Sequence, residues 1–160
     1  MAGLKVIAAT VAAAIAIGAG GITGGASAGT PRCGAGALAL SVKHDGGAAG
    51  TQLYTIRLRN KSRHPCKLGG YPGVSLLGAN HRQLGASAKR VAGRLHKFTL
   101  RPGQTAAARF TAPSVECGNG RRPRESSFVR VIPPNTRSSL IAKLHATACR
   151  LTIQPLHKAH

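Results

Sequence analysis

The sequence predicts an all-β fold, an antiparallel sandwich of about seven to eight short strands. Three observations carry that expectation. Apolar and polar residues alternate with period 2 in several short runs, and turn formers recur about every 8–12 residues. No segment has the periodicity of a convincing amphipathic helix. Four cysteines stand in a chain with no Trp, two Tyr and three Phe, so cross-links are expected to support a core of small side chains.

Residues 1–28 read as an export leader rather than as part of the fold. Lys5 supplies a positive start, Val6 to Ile17 is an unbroken apolar run, and Ala26-Ser27-Ala28 is the small-x-small pattern that signal peptidase cuts. The run is shorter than the ~20 residues a spanning helix needs. An uncleaved N-terminal anchor is the alternative reading. Thr30-Pro31-Arg32 before Cys33 is no lipobox, so no lipid anchor is expected. The glycines from Gly18 to Gly25 lack Gly-Lys-Ser/Thr and so make no phosphate loop. Cleavage near Ala28 leaves one domain, 29–160, that is secreted or held at the cell envelope. Without Lys5 its net charge falls from +20 to +19.

The elements follow in order. Leu38, Leu40 and Val42 alternate with polar or small neighbours and predict a first strand. His44 to Gly50 reads as a polar, glycine-rich turn. Tyr54, Ile56 and Leu58 alternate with Thr55, Arg57 and Arg59, a strand with one face buried and one wet. Asn60 to Pro65 breaks the pattern as a basic turn, and Gly69 to Gly73 forms a corner in which Pro72-Gly73 suits a type II turn. Val74 to Leu77 is a short strand, and residues 85–94 read as a loop with a weak helical signal.

Further on, His96 to Leu100 and Thr105 to Phe110 flank Arg101-Pro102-Gly103-Gln104, which predicts a hairpin. Ala106, Ala108 and Phe110 share one face of its second strand. Residues 112–126 form a loop carrying Cys117, Asn119-Gly120 and the cluster Arg121, Arg122 and Arg124. Val129 and Val131 mark a strand stopped by Pro133-Pro134. Ser138 to Leu144 is a short strand. Cys149, Leu151 and Ile153 alternate with Arg150, Thr152 and Gln154 in a clear strand pattern, and Leu156 to His160 is expected to fray as a basic tail.

Four cysteines in an exported chain read as two disulfides, for which three pairings are open. Cys33–Cys66 with Cys117–Cys149 is the favoured one. Each would close a loop of about 33 residues, worth about 3.5–4 kcal/mol in the chain-entropy model.

Several stretches resemble the actinobacterial family of secreted proteins and lipoproteins known as domain of unknown function 4232. They are Cys33, Thr55-Ile56-Arg57-Leu58-Arg59-Asn60, Cys66-Lys67-Leu68-Gly69-Gly70-Tyr71-Pro72-Gly73-Val74, Leu100-Arg101-Pro102-Gly103, Cys117, Val131-Ile132-Pro133-Pro134 and Cys149. The resemblance covers nearly all of the mature chain. It implies an immunoglobulin-like sandwich with sequentially paired cysteines, outside the cytoplasmic membrane, and it carries no catalytic residue.

Composition narrows the chemistry. Asp45, Glu116 and Glu125 are the only acids. Glu116 and Glu125 are the only neighbouring pair a glycosidase could use, and counter-charges in an arginine-rich loop are the better reading. There is no Gly-x-Ser-x-Gly elbow, and evenly paired cysteines leave no thiolate nucleophile. Seven histidines at 44, 64, 81, 96, 145, 157 and 160 lack metal-ligand spacing, so neither a metal nor a cofactor is expected. Tyr71 and Phe110 read as core anchors.

The basic surface remains. Arg57, Arg59, Lys61, Arg63 and Lys67 form one cluster, and Arg121, Arg122 and Arg124 a second. These stretches hold almost no aromatics for base stacking, which disfavours nucleic acid. A merely solubilising face is the plain reading. The functional one is a non-enzymatic module held by charge to anionic cell-wall polymer or lipid head groups, or to an envelope protein. The alternative of another class is a secreted cationic effector or hydrolase, with His64 beside Arg63 as the nearest nuclease candidate.

Overall fold

The structure is a computed structural model that describes residues 29–113, 117 and 124–159. The predicted leader, Glu116, Asn119-Gly120, Arg121, Arg122 and His160 lie outside the described residues. A 3₁₀ turn at Ala35–Ala37 leads into β1 (Leu38–Ala48) and β2 (Thr51–Asn60), followed by β3 (Cys66–Gly69) and β4 (Gly73–Leu77). Next come β5 (Gln83–Leu84), β6 (Lys89–Arg90), β7 (Lys97–Leu100) and β8 (Thr105–Pro113). The last are β9 (Phe128–Ile132), β10 (Leu140–Lys143), β11 (Thr152–Ile153) and β12 (His157–Lys158). Eight of these strands have four or more residues, in keeping with the count predicted from sequence.

They form a sandwich. One sheet runs β1-β2-β8-β11-β6, with β12 also on β8; the other runs β10-β9-β4-β5. β3 and β7 pair in a two-stranded ribbon. Pairing is antiparallel except between β11 and β6, which run parallel.

Period-2 alternation builds the core between the sheets. Tyr54, Ile56 and Leu58 of β2 are buried beside Phe110, Ala108 and Ala106 of β8, their register partners. Val74 and Leu76 of β4 with Val129 and Val131 of β9 come from the second sheet. Large side chains on β2 thus stand next to alanines on β8, which fills the layer without many aromatics. Tyr54 and Phe110 stack with ring centroids 4.8 Å apart.

Both favoured disulfides are present, Cys33–Cys66 and Cys117–Cys149. Cys33 and Cys66 belong to the core.

Six local expectations are corrected. The Arg101–Gln104 turn closes, with Gln104 N donating to Arg101 O at 3.0 Å and Gly103 at φ 81°, but its flanks do not pair. β7 joins β3 and β8 joins β2, so this turn carries the chain from ribbon to sheet. Turn chemistry is local, whereas the choice of partner strand depends on distant residues.

His44 to Gly50 is mostly strand: β1 runs on to Ala48 with a bulge between His44 and Gly46, and only Ala49-Gly50 turns. Gly73 already lies in β4, and the left-handed backbone of the corner falls at Gly70, φ 100°. Residues 85–94 contain β6, and the strand expected over 149–154 shrinks to β11. Finally, the tail does not fray. Leu156 is fully buried, its N donates to Gly70 O at 2.8 Å, and β12 pairs with Ala106 and Ala107 of β8. One apolar side chain at 156 is enough to anchor a strand that composition reads as solvated.

Candidate anion-binding surface

The alternation that buries Tyr54, Ile56 and Leu58 sends Thr55, Arg57 and Arg59 to the outer face of the six-stranded sheet. Residues directly opposite in an antiparallel pair share a face. Thr55 therefore sits between Lys43 of β1 and Arg109 of β8, and Arg57 between Ser41 and Ala107. Lys43, Arg57, Arg59 and Arg109 gather on one exposed face.

Asp45 is the counter-charge beside them. Thr55 Oγ1 donates to its carboxylate at 2.5 Å, and Lys43 Nζ stands 3.6 Å away in the one ion pair among the described residues. The Thr55 hydrogen bond, helped by Lys43 and Arg109, holds the Asp45 carboxyl below its ordinary range. It is committed to its own neighbours and leaves Arg57 and Arg59 open to other anions.

At the lower end of β2 a shallow groove of about 480 Å³ is lined by Arg57, Gly103, Gln104, Thr105, Lys158 and Ala159. Arg59 Nε donates to Gly103 O at 3.2 Å, which places its guanidinium on the rim. The floor is fixed by Asn60, whose carbonyl accepts from Gly103 N at 2.8 Å and whose N donates to Gln104 O at 2.9 Å. Guanidinium forks and an ammonium over polar backbone suit phosphate or carboxylate groups.

The structure divides the clusters expected from sequence. Lys61 and Arg63 are exposed in the turn after β2, whereas Lys67 belongs to β3 and lines a different groove with Arg32 and Lys97. Arg124 is exposed beside Glu125, whose bridge to Thr147 puts it at the opposite end of the sandwich. Glu125 shares a hollow of about 220 Å³ with Gln52, Tyr54 and His145. The run from Gln52 to Arg59 spans roughly 23 Å at ~3.3 Å per residue, so Arg124 is no neighbour of Arg59.

Lys43, Arg109 and Lys158 were not marked by sequence reasoning as parts of this surface. The period-2 pattern puts Arg109 on a wet face, but only the β2–β8 register shows which cations it joins.

His64, the nuclease candidate, is exposed, and its carbonyl accepts from Asn60 Nδ2 at 2.8 Å and from Ser62 Oγ at 2.9 Å. Those bonds tie its backbone and leave the ring without a defined role. Among the described residues no group of three or more His, Cys, Asp or Glu could hold a metal ion. No helix there is long and apolar enough to cross a membrane. Tyr71 is half-buried, its hydroxyl donating to Val91 O at 2.6 Å with the Arg90 guanidinium 5.5 Å above its ring.

Compared with known proteins, residues 33–157 match the model of a family described as a domain of unknown function (DUF4232). No curated protein and no solved structure matches the chain.

Proposed function

We propose, from the premise that this chain belongs to the DUF4232 family, that it is an exported, non-enzymatic module attached by charge to anionic polymer or lipid head groups of the cell envelope. One observation carries the reading: Lys43, Arg57, Arg59 and Arg109 share the outer face of a sheet on which Asp45 is the one counter-charge among the described residues. A sheet face holds its cations at fixed spacing, so an extended polyanion meets several at once. Exposed charges act through solvent and are screened over about 8–10 Å at physiological salt. Attachment of this kind is reversible and steeply salt-dependent.

The test is co-sedimentation of the protein with anionic vesicles and with isolated wall polymer across a salt series. Binding at low salt and detachment near physiological salt support the proposal; binding indifferent to ionic strength rules out the mechanism. Incubation with RNA, DNA and peptidoglycan checks the hydrolase alternative, for which a product lost on His64→Ala would be required.

A further inference from the structure

The ribbon of β3 and β7 carries a second concentration of positive charge, which lines a groove separate from that of the basic face. Lys67 lies opposite Thr99, and Gly69 lies opposite Lys97. All four positions therefore share one side of the ribbon, while Cys66, Leu68 and Leu100 on the other side are buried. Arg32 extends this arrangement by one strand position. It bridges to Lys67 in parallel, with Cys33 N donating to Lys67 O at 2.9 Å and Lys67 N to Pro31 O at 2.7 Å.

Gly69 lets β3 run close against the start of β7. A Cβ at 69 would collide with the His96 carbonyl and the Lys97 backbone. Along the ribbon lies a groove of about 430 Å³ lined by Arg32, Lys67 and Lys97 with the polar residues Thr30 and Asn135. That volume lies within the ~300–1,000 Å³ of small-ligand sites.

Among the described residues no carboxylate lines this groove. Like charges set on adjacent strand positions oppose folding, and here the fold brings three together from three segments. The Cys33–Cys66 bond fixes one of them, because it ties the segment carrying Arg32 to the start of β3. A bound anion would relieve the repulsion. A lone carboxylate carries one charge and would leave two cations unmatched, whereas a phosphate dianion, or neighbouring phosphodiesters of a polymer or membrane surface, can meet the Arg fork and the Lys ammonium groups together.

We propose that the groove formed by Arg32, Lys67 and Lys97 is a binding site for phosphate-bearing anions. It rests on the reading of the protein as a charge-held envelope module and adds a defined site and ligand chemistry to it. The phosphate could belong to a wall polymer or to a lipid head group, and the chemistry of the groove is the same for both.

The test is calorimetric titration of the disulfide-bonded protein with tripolyphosphate at constant ionic strength, with citrate as the carboxylate control. A strongest site of one-to-one stoichiometry is expected, weakened at least tenfold in the Lys67→Gln/Lys97→Gln variant and within twofold of wild type in Arg82→Gln/Lys143→Gln, whose side chains line neither groove. Both pairs are exposed or rimmed by solvent, and unchanged circular dichroism confirms folding. Tripolyphosphate binding that survives Lys67→Gln/Lys97→Gln, or citrate binding of equal strength, overturns the assignment.

Poly(glycerol phosphate) and phosphatidylglycerol vesicles then separate the sources: the ligand whose binding falls in Lys67→Gln/Lys97→Gln is the one the groove takes. If both survive that variant but fall in Arg57→Gln/Arg59→Gln, the groove is refuted and the basic face stands. If wild type binds neither at low salt, the attachment reading itself falls, and the tripolyphosphate titration still decides the groove.

Discussion

The Asn60 carboxamide donates to the carbonyl oxygen of Leu100 at 3.0 Å, joining the last residue of β2 to the last residue of β7. The same Nδ2 reaches His64 O at 2.8 Å, and Oδ1 accepts from Ser62 N at 2.9 Å and Ser62 Oγ at 2.7 Å. With its backbone bonds to Gly103 and Gln104, one fully buried polar residue secures the basic turn and the corner between ribbon and sheet.

Asn60→Ala would leave buried carbonyl and amide groups without partners. The expected loss of stability is about 2–4 kcal/mol in urea denaturation. A loss below about 0.5 kcal/mol, the range of ordinary surface changes, would mean that water replaces these bonds freely.

Leu156 gives a sharper contrast, because composition assigns it to a solvated tail. Its full burial predicts that Leu156→Ala costs about 2–4 kcal/mol. Protease resistance of the C-terminal peptide should fall with it. An unchanged denaturation midpoint would restore the frayed tail.

The two disulfides should respond differently to reductant. Cys33 and Cys66 are 1 % and 4 % exposed, while Cys117 and Cys149 are half-buried. Access favours reduction of Cys117–Cys149 first, read by alkylation and peptide mass spectrometry. Loss of either bond should cost about 3.5–4 kcal/mol on loop entropy. The reverse order of reduction would show that burial does not control access.

Burial pushes the Tyr54 phenol above its ordinary value near 10. The folded state therefore favours the protonated ring. Its contribution is fully present below pH ~10 and declines as pH rises from there through the folded-state pKa. Tyr54→Phe should flatten that alkaline decline relative to wild type in denaturation midpoints measured from pH 8 to 11. Parallel curves would show that other groups account for it.

Arg57→Gln/Arg59→Gln/Arg109→Gln should leave stability within about 0.5–1 kcal/mol of wild type, since these side chains lie on the outer face. Vesicle or polymer affinity at low salt should drop at least tenfold, and detachment should move to lower salt. Equal affinity in the variant would remove the basic face from the attachment.

Much of the framework was legible because it is written locally. Tyr54, Ile56 and Leu58 declare a half-buried strand through their spacing, Pro102-Gly103 declares a turn, and an even cysteine count suggests two disulfides. The candidate surface was legible only in part: Arg57 and Arg59 could be placed on a wet face, but Lys67 could not be separated from them. Arg32 and Lys97 carried no local mark at all.

Sequence by itself determined an all-β chain of small core residues with strong positive charge and a place for two cross-links. Only the tertiary structure decided that β7 joins β3 rather than β8, that Leu156 packs inside, and which cations meet across strands. The physical reason is range. Alternation and turn chemistry act between near neighbours, whereas strand partnership and charge clustering follow from packing among residues far apart in the chain.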